Sequence, residues 1–184
     1  MELIDAIRSG DVFMIIAQLF GFLALAASVT SFQMKTYKQI MIVQIICATL
    51  FVINYAMLYM HGYPSAISGG ISNFVCIIRN IVFWMTMNQK KYAWVKTVVF
   101  SAILVLILAI FYAGWPTLIC MAGMVLNTVS FSMKEPQKVR KVILFSAPLQ
   151  FIYNLASASV GGAMNEAISF TSAVIGLLRY RKKS

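Results

Sequence analysis

The sequence predicts an all-α membrane protein: seven transmembrane helices, built as two parallel three-helix repeats joined by a linker helix. Three observations carry this. The 184 residues are 61% hydrophobic and only 11% charged, whereas a soluble chain carries roughly a quarter charged residues. Apolar runs fill nearly the whole chain, and crossing a bilayer takes on the order of 20 such residues, so no room is left for a soluble domain. The basic residues fall in short clusters on alternate sides of those runs, as orientation in a membrane requires.

The helices are expected over 12–32, 40–60, 65–87, 97–113, 116–132, 142–160 and 163–179. Residues 1–11 hold Glu2, Asp5 and Asp11 against Arg8. A cleavable secretory signal needs a positive stretch there, so the first run reads as a retained helix. His61-Gly62-Tyr63-Pro64 separates the second and third helices, and Gly114-Trp115-Pro116 the fourth and fifth. Pro116 suits a first helical position, where no backbone donor is missed. Gly161-Gly162 reads as the turn before the seventh helix. Residues 97–113 contain no Asn, Gln or charge, as expected of a linker that faces lipid. Pro148 falls inside the sixth helix, removes a backbone hydrogen bond and is a candidate hinge. All spans should be helical, because an open strand leaves its backbone unsatisfied in lipid.

With these spans, 14 of the 15 Lys and Arg residues lie on one side and only Arg8 on the other. The positive side faces the cytoplasm, which puts the N-terminus outside and the C-terminus inside. The net charge of +10 is thereby explained by orientation, and no nucleic-acid partner is expected. Arg79 and Arg179, near the cytoplasmic end, read as snorkelling anchors, with an inner gate as the sharper alternative. Trp84, Tyr92 and Trp94 read as an interfacial aromatic belt.

An internal repeat underlies the architecture. A shift of 100 residues places Phe51, Asn54, Ala56, Gly62, Ser72 and Arg79 on Phe151, Asn154, Ala156, Gly162, Ser172 and Arg179. A shift of 99 places Ser31-Phe32-Gln33-Met34-Lys35 on Ser130-Phe131-Ser132-Met133-Lys134. The repeats are then 12–87 and 116–179, with 97–113 as the linker, all within one transmembrane domain. One connecting helix makes both halves enter the membrane from the same side. That is a parallel repeat, one of the recognised transporter plans.

This three-one-three plan resembles the sugar-transporting SWEET proteins and their PQ-loop relatives. Phe32-Gln33 followed by Lys35 and Lys38 is similar to the Pro-Gln turn of that superfamily, although the proline is absent and the second half has Phe131-Ser132. The whole chain is closer to the small YgjV-type bacterial inner-membrane proteins. The shared features are the Ser-Phe-Gln-x-Lys turn, Arg79-Asn80, Lys138-x-Arg140 and the terminal Leu178-Arg179-Tyr180-Arg181. The SWEET-like resemblance implies the fold and two rocking halves; it does not imply sugar as cargo.

Polar groups buried in lipid must find a partner or line a water-filled path. Gln18, Gln44, Gln150 and Asn165 are among the polar residues that the spans enclose. Span depth puts Ser28, Asn73, Asn127 and Thr171 closest to mid-membrane. Asn73 also matches, by position, the central asparagine of the third helix that holds substrate in SWEET-like proteins, and its repeat partner is Ala173. Each of these residues has a blander reading as interhelical glue, which contributes about 0.6 kcal/mol on average. Asn54 and Asn154, matched by the repeat and near the outer end, lean further towards glue.

Absences narrow the chemistry. Cys47, Cys76 and Cys120 lie singly in apolar segments, so neither a disulfide framework nor a zinc site is expected. No paired carboxylates, metal-ligand cluster, Ser/His/Asp set or Gly-rich phosphate loop can be assembled, so the chain reads as no enzyme, with no cofactor or metal. No acid lies at mid-membrane, with Glu166 placed at the outer mouth, which favours downhill movement over a proton-driven pump. The leading function is facilitated transport of a small solute by alternating access. The alternative is a structural or assembly protein of the inner membrane; an ion channel lacks an acidic ring. The expected partners are the lipid bilayer and a small-molecule solute, with a homo-oligomer left open.

Overall fold

The computed structural model describes residues 11–33, 37–86, 93–133 and 136–180. They form seven α-helices: α1 (Val12–Gln33), α2 (Tyr37–Met60), α3 (Ala66–Met85), α4 (Ala93–Ile110), α5 (Trp115–Ser132), α6 (Pro136–Ala156) and α7 (Val160–Tyr180). Three stretches are long and apolar enough to cross a membrane: Val12–Ser31, Lys38–Met60 and Ala66–Met85. Trp94–Ile110 and Trp115–Ser130 are shorter apolar helices. α6 and α7 are long but more polar. Lys138, Arg140 and Lys141 sit at the start of α6, and α7 carries Asn165, Glu166 and Arg179.

Connections between helices are short, so successive helices run antiparallel. One end of the bundle therefore holds Asp11, the 61–65 and 111–114 connections and the 157–159 turn; it is called the turn end below. The other end holds Lys38, Lys96, Lys138, Arg140, Lys141 and Arg179 and is called the basic end. The Ser-Phe-Gln segment forms the last turn of α1 rather than a loop. Lys35, Tyr92 and Arg181 lie outside the described residues.

Packing runs in a closed circuit. α1 packs on α2, α2 on α3, α3 on α5, α5 on α6, α6 on α7 and α7 back on α1. α4 stands outside this circuit, against α3 and α5. Its buried face is mainly apolar, with Thr97 also buried: Phe100 and Leu104 meet Val75 and Phe83 of α3. The main core lies nearer the turn end and joins Met14, Ala17 and Ala24 of α1, Phe51, Tyr55 and Leu58 of α2, Cys120 of α5 and Tyr153 of α6.

Two expectations need correction. The turn before α7 is Ser157–Ser159, with Ala158 in the left-handed region at φ 57°, and Gly161 and Gly162 lie in the first turn of the helix. These glycines let helices touch rather than bend: a Cβ on Gly161 would meet the backbone of Gly21 in α1. In lipid, where apolar burial drives little association, small residues at such crossings provide the close packing. Second, Arg79 does not snorkel. It is 3% exposed and donates to Thr128 Oγ1 of α5 at 2.9 Å and to Asn80 Oδ1. Arg179 is exposed, so the two arginines have different surroundings.

Candidate functional site

The circuit of six helices surrounds a partly open cavity of about 110 Å³. α1 contributes Ser28, and α2 contributes Gln44, Cys47, Ala48, Phe51 and Tyr55. α3 brings Asn73, Cys76 and Asn80, and α5 brings Met124 and Asn127. Gln150 and Asn154 come from α6, and Gly162, Asn165 and Glu166 from α7. The spacings explain how the walls form. Positions 44, 47, 48, 51 and 55 share one face of a 3.6-residue helix, as do 73, 76 and 80, and 150 and 154. On an apolar helix, such a stripe turns its polar face inwards.

The turn end of the cavity is sealed by a plate of hydrogen bonds. The Tyr55 hydroxyl donates to Asn154 Oδ1, across from α2 to α6. Asn54 Nδ2 donates to the Ala17 carbonyl at 2.7 Å, and Ser159 Oγ donates to Asn54 Oδ1 at 2.7 Å. Tyr153 donates to the Ser65 carbonyl at 2.9 Å, with Ser68 donating to Tyr153. Gln18 completes the plate: its Nε2 donates to the Ala158 carbonyl at 2.6 Å and its Oε1 accepts from the Val160 amide. Apart from Asn54–Ala17, which joins α2 to α1, each bond ties one side of the circuit to the other, so the plate is a joint between α1–α3 and the α6–α7 corner.

Below the plate the walls are held more locally. Asn73 Nδ2 donates to the carbonyl of Gly69, one turn back on its own helix. Gln150 donates to the Cys120 carbonyl at 3.0 Å, joining α6 to α5, and Gln44 donates to Ser31 Oγ at 3.0 Å. Towards the basic end, Arg79 sits behind Asn80 and is tied to α5 through Thr128. Glu166 accepts from its neighbour Asn165 at 3.2 Å. Among the described residues the salt bridge present is His61–Asp11, at the turn end and outside the cavity. No group of three or more potential metal ligands occurs among the described residues.

The structure brings four of the sequence-derived candidates together here: Ser28, Asn73, Asn127 and Asn154. Asn54 lies in the plate beside the cavity rather than on its wall. Thr171 lies elsewhere, on an exposed face of α7, with its hydroxyl bonded back to the Ala167 carbonyl. Depth along a helix identified it, but depth does not say which way a side chain faces. Pro148 is inside α6, on an exposed face. Sequence reasoning missed Tyr55 and Asn80 as wall residues and placed Glu166 too shallow. The helical stripe shared with Gln44 and Phe51 is the signal that points to Tyr55. Glu166 was misplaced because the paired glycines were read as the turn, although α7 begins before them.

Apolar helices closing around a polar cavity define an integral membrane protein. The family model of Imp-YgjV, described as bacterial inner membrane protein, matches residues 15–184, and the chain belongs to that family. No curated protein and no solved structure matches it significantly.

Proposed function

We propose that the protein is a transporter of the inner membrane, moving a small polar solute through the cavity between two SWEET-like halves, α1–α3 and α5–α7. The observation that carries this reading is the lining. Every helix of the two halves contributes to the wall and α4, the linker, contributes nothing. Ten of the sixteen lining residues are Asn, Gln, Ser, Tyr or Glu: Ser28, Gln44, Tyr55, Asn73, Asn80, Asn127, Gln150, Asn154, Asn165 and Glu166. A protein whose polar groups served only as glue would place them in pairs at helix contacts around a dry centre. Rocking the halves would break the plate at Tyr55–Asn154 and Asn54–Ser159 and open the turn end, in the manner of alternating access. In this reading all seven helices span the membrane, the turn end faces outwards and the basic end faces the cytoplasm.

An uptake screen in proteoliposomes tests the proposal, with Ala48→Phe as the control. Ala48 is buried on the cavity wall, and a phenyl ring there fills the space. Wild type should take up at least one small polar solute faster than protein-free vesicles, and Ala48→Phe should lose that uptake while still running monodisperse in detergent. Monodisperse wild type that moves no solute would favour the structural or assembly role.

A further inference from the structure

Among the described residues, Glu166 is the one charged residue on the cavity wall. It lies six residues into α7, about 9 Å along the helix at 1.5 Å per residue, and its side chain is on the cavity wall. A charged group at such depth is costly and marks a path or a binding site by default. No Lys, Arg or His lines the cavity with it. The nearer cations are engaged towards the basic end: Arg79 bonds Thr128 and Asn80, and Arg140 lies against Gly176, about 15 Å further along α7.

The neighbouring walls add no opposing charge. α1 and α6, which pack on α7, present Ser28, Gln150 and Asn154, none of which titrates. α2 and α3 present the Tyr55 phenol and the Cys47 and Cys76 thiols, none of them a cation. Seven carboxamides line the same space, and each offers a carbonyl oxygen that can accept a hydrogen bond. One carboxylate amid neutral acceptors suits a ligand with a single positive charge and several N–H donors. It repels anions, and a neutral solute would leave the charge uncompensated.

We infer that the cavity is a binding site for a small organic cation of the ammonium or guanidinium class, held by Glu166, with the proton as its competitor. Resting on the transport reading for its role, the site would make this cation the cargo.

The test uses labelled guanidinium, which is planar, rich in N–H donors and charged across the working pH range, against urea, its neutral counterpart in shape. Purified wild type in detergent should bind guanidinium and be little affected by equal concentrations of urea. Glu166→Gln should weaken binding by about tenfold or more, as loss of one partner of a buried charge pair does. In wild type, affinity should fall as the pH drops and Glu166 takes up a proton, a measurement that needs no variant to fold. Absent binding, binding unchanged in Glu166→Gln, equal competition by urea, or a flat pH profile would each overturn the cation site. Uptake in vesicles separates the two ideas. Binding without uptake would count against transport and leave the site standing, whereas uptake of urea without guanidinium binding would do the reverse.

Discussion

Asp11 shows how one residue sets the start of a membrane helix. It accepts the Met14 amide at 3.0 Å as the N-cap of α1, and its other oxygen meets His61 Nε2 at 2.6 Å. The imidazole also stacks against Phe13 and against Tyr63, so the start of α1 is clipped to the 61–63 turn. The Met14 amide first, and then His61, hold the Asp11 carboxyl below its ordinary value of 3.8. A carboxyl depressed in the folded state contributes stability above its unfolded value and loses that contribution as pH falls through the folded one. Amide protection in the first turn of α1, corrected for intrinsic exchange, should therefore hold above pH 3.8 and decline below it. Asp11→Asn keeps an N-cap acceptor and should remove that decline, and an unchanged acid dependence in the variant would sink the assignment. The carboxylate at the helix start was legible in the sequence as the acid preceding an apolar run. Its bond to His61 was not, because the partners are fifty residues apart and meet only once α1 and α2 pack.

At the scale of elements, helix contacts are governed by what glycine permits. Gly21 and Gly161 bring α1 and α7 together closely enough to close the circuit. Their environments are unequal. A Cβ on Gly161 would strike the Gly21 backbone, which cannot rotate away, whereas a Cβ on Gly21 would lie 3.2 Å from Asn54 Nδ2, which need give only a few tenths of an ångström against its bond to the Ala17 carbonyl, and at ordinary contact distance from Gly161 Cα. Gly161→Ala should therefore destabilise by about 3 kcal/mol, the upper range for overpacking. Gly21→Ala should be close to neutral, since the gain of roughly 1 kcal/mol in helix propensity offsets a small displacement. Apparent melting temperatures of the two variants in one detergent decide the matter, and equal losses would mean that α1 and α7 do not touch as described. Helix existence was legible throughout from apolar runs. The ends of α6 and α7 were not, because Lys138, Arg140 and Lys141 resemble a loop by charge, and a glycine pair at a crossing looks identical in sequence to a glycine pair at a turn. The cavity stripe was partly legible: polar residues were recognised by depth, but facing direction depends on helical phase, which is why Asn73 and Asn127 reach the wall and Thr171 does not.

The whole molecule combines two asymmetries that orientation in the membrane should join. Charge is polarised, with 14 of 15 Lys and Arg residues assigned to one side. Closure is polarised too, because the hydrogen-bonded plate of Tyr55, Asn154, Asn54 and Ser159 seals the turn end while Gln44, Asn80 and Asn127 line the cavity towards the basic end. If the positive-inside tendency sets the orientation, the sealed end faces out and this conformation is closed to the exterior. The two ends of α2 provide the measurement. Tyr37–Met60 comprises 24 residues, about 36 Å of helix, enough to separate Lys38 from His61 by a bilayer. Single cysteines at these positions, in a background with Cys47, Cys76 and Cys120 replaced by Ser or Ala, should react differently with an impermeant maleimide applied to intact cells. The cysteine at 61 should label directly, and that at 38 only after the membrane is opened. The reverse pattern would invert the orientation and place the sealed end inside. Labelling of both from outside would mean that α2 does not span the membrane, which would remove the physical basis for a path between the two halves.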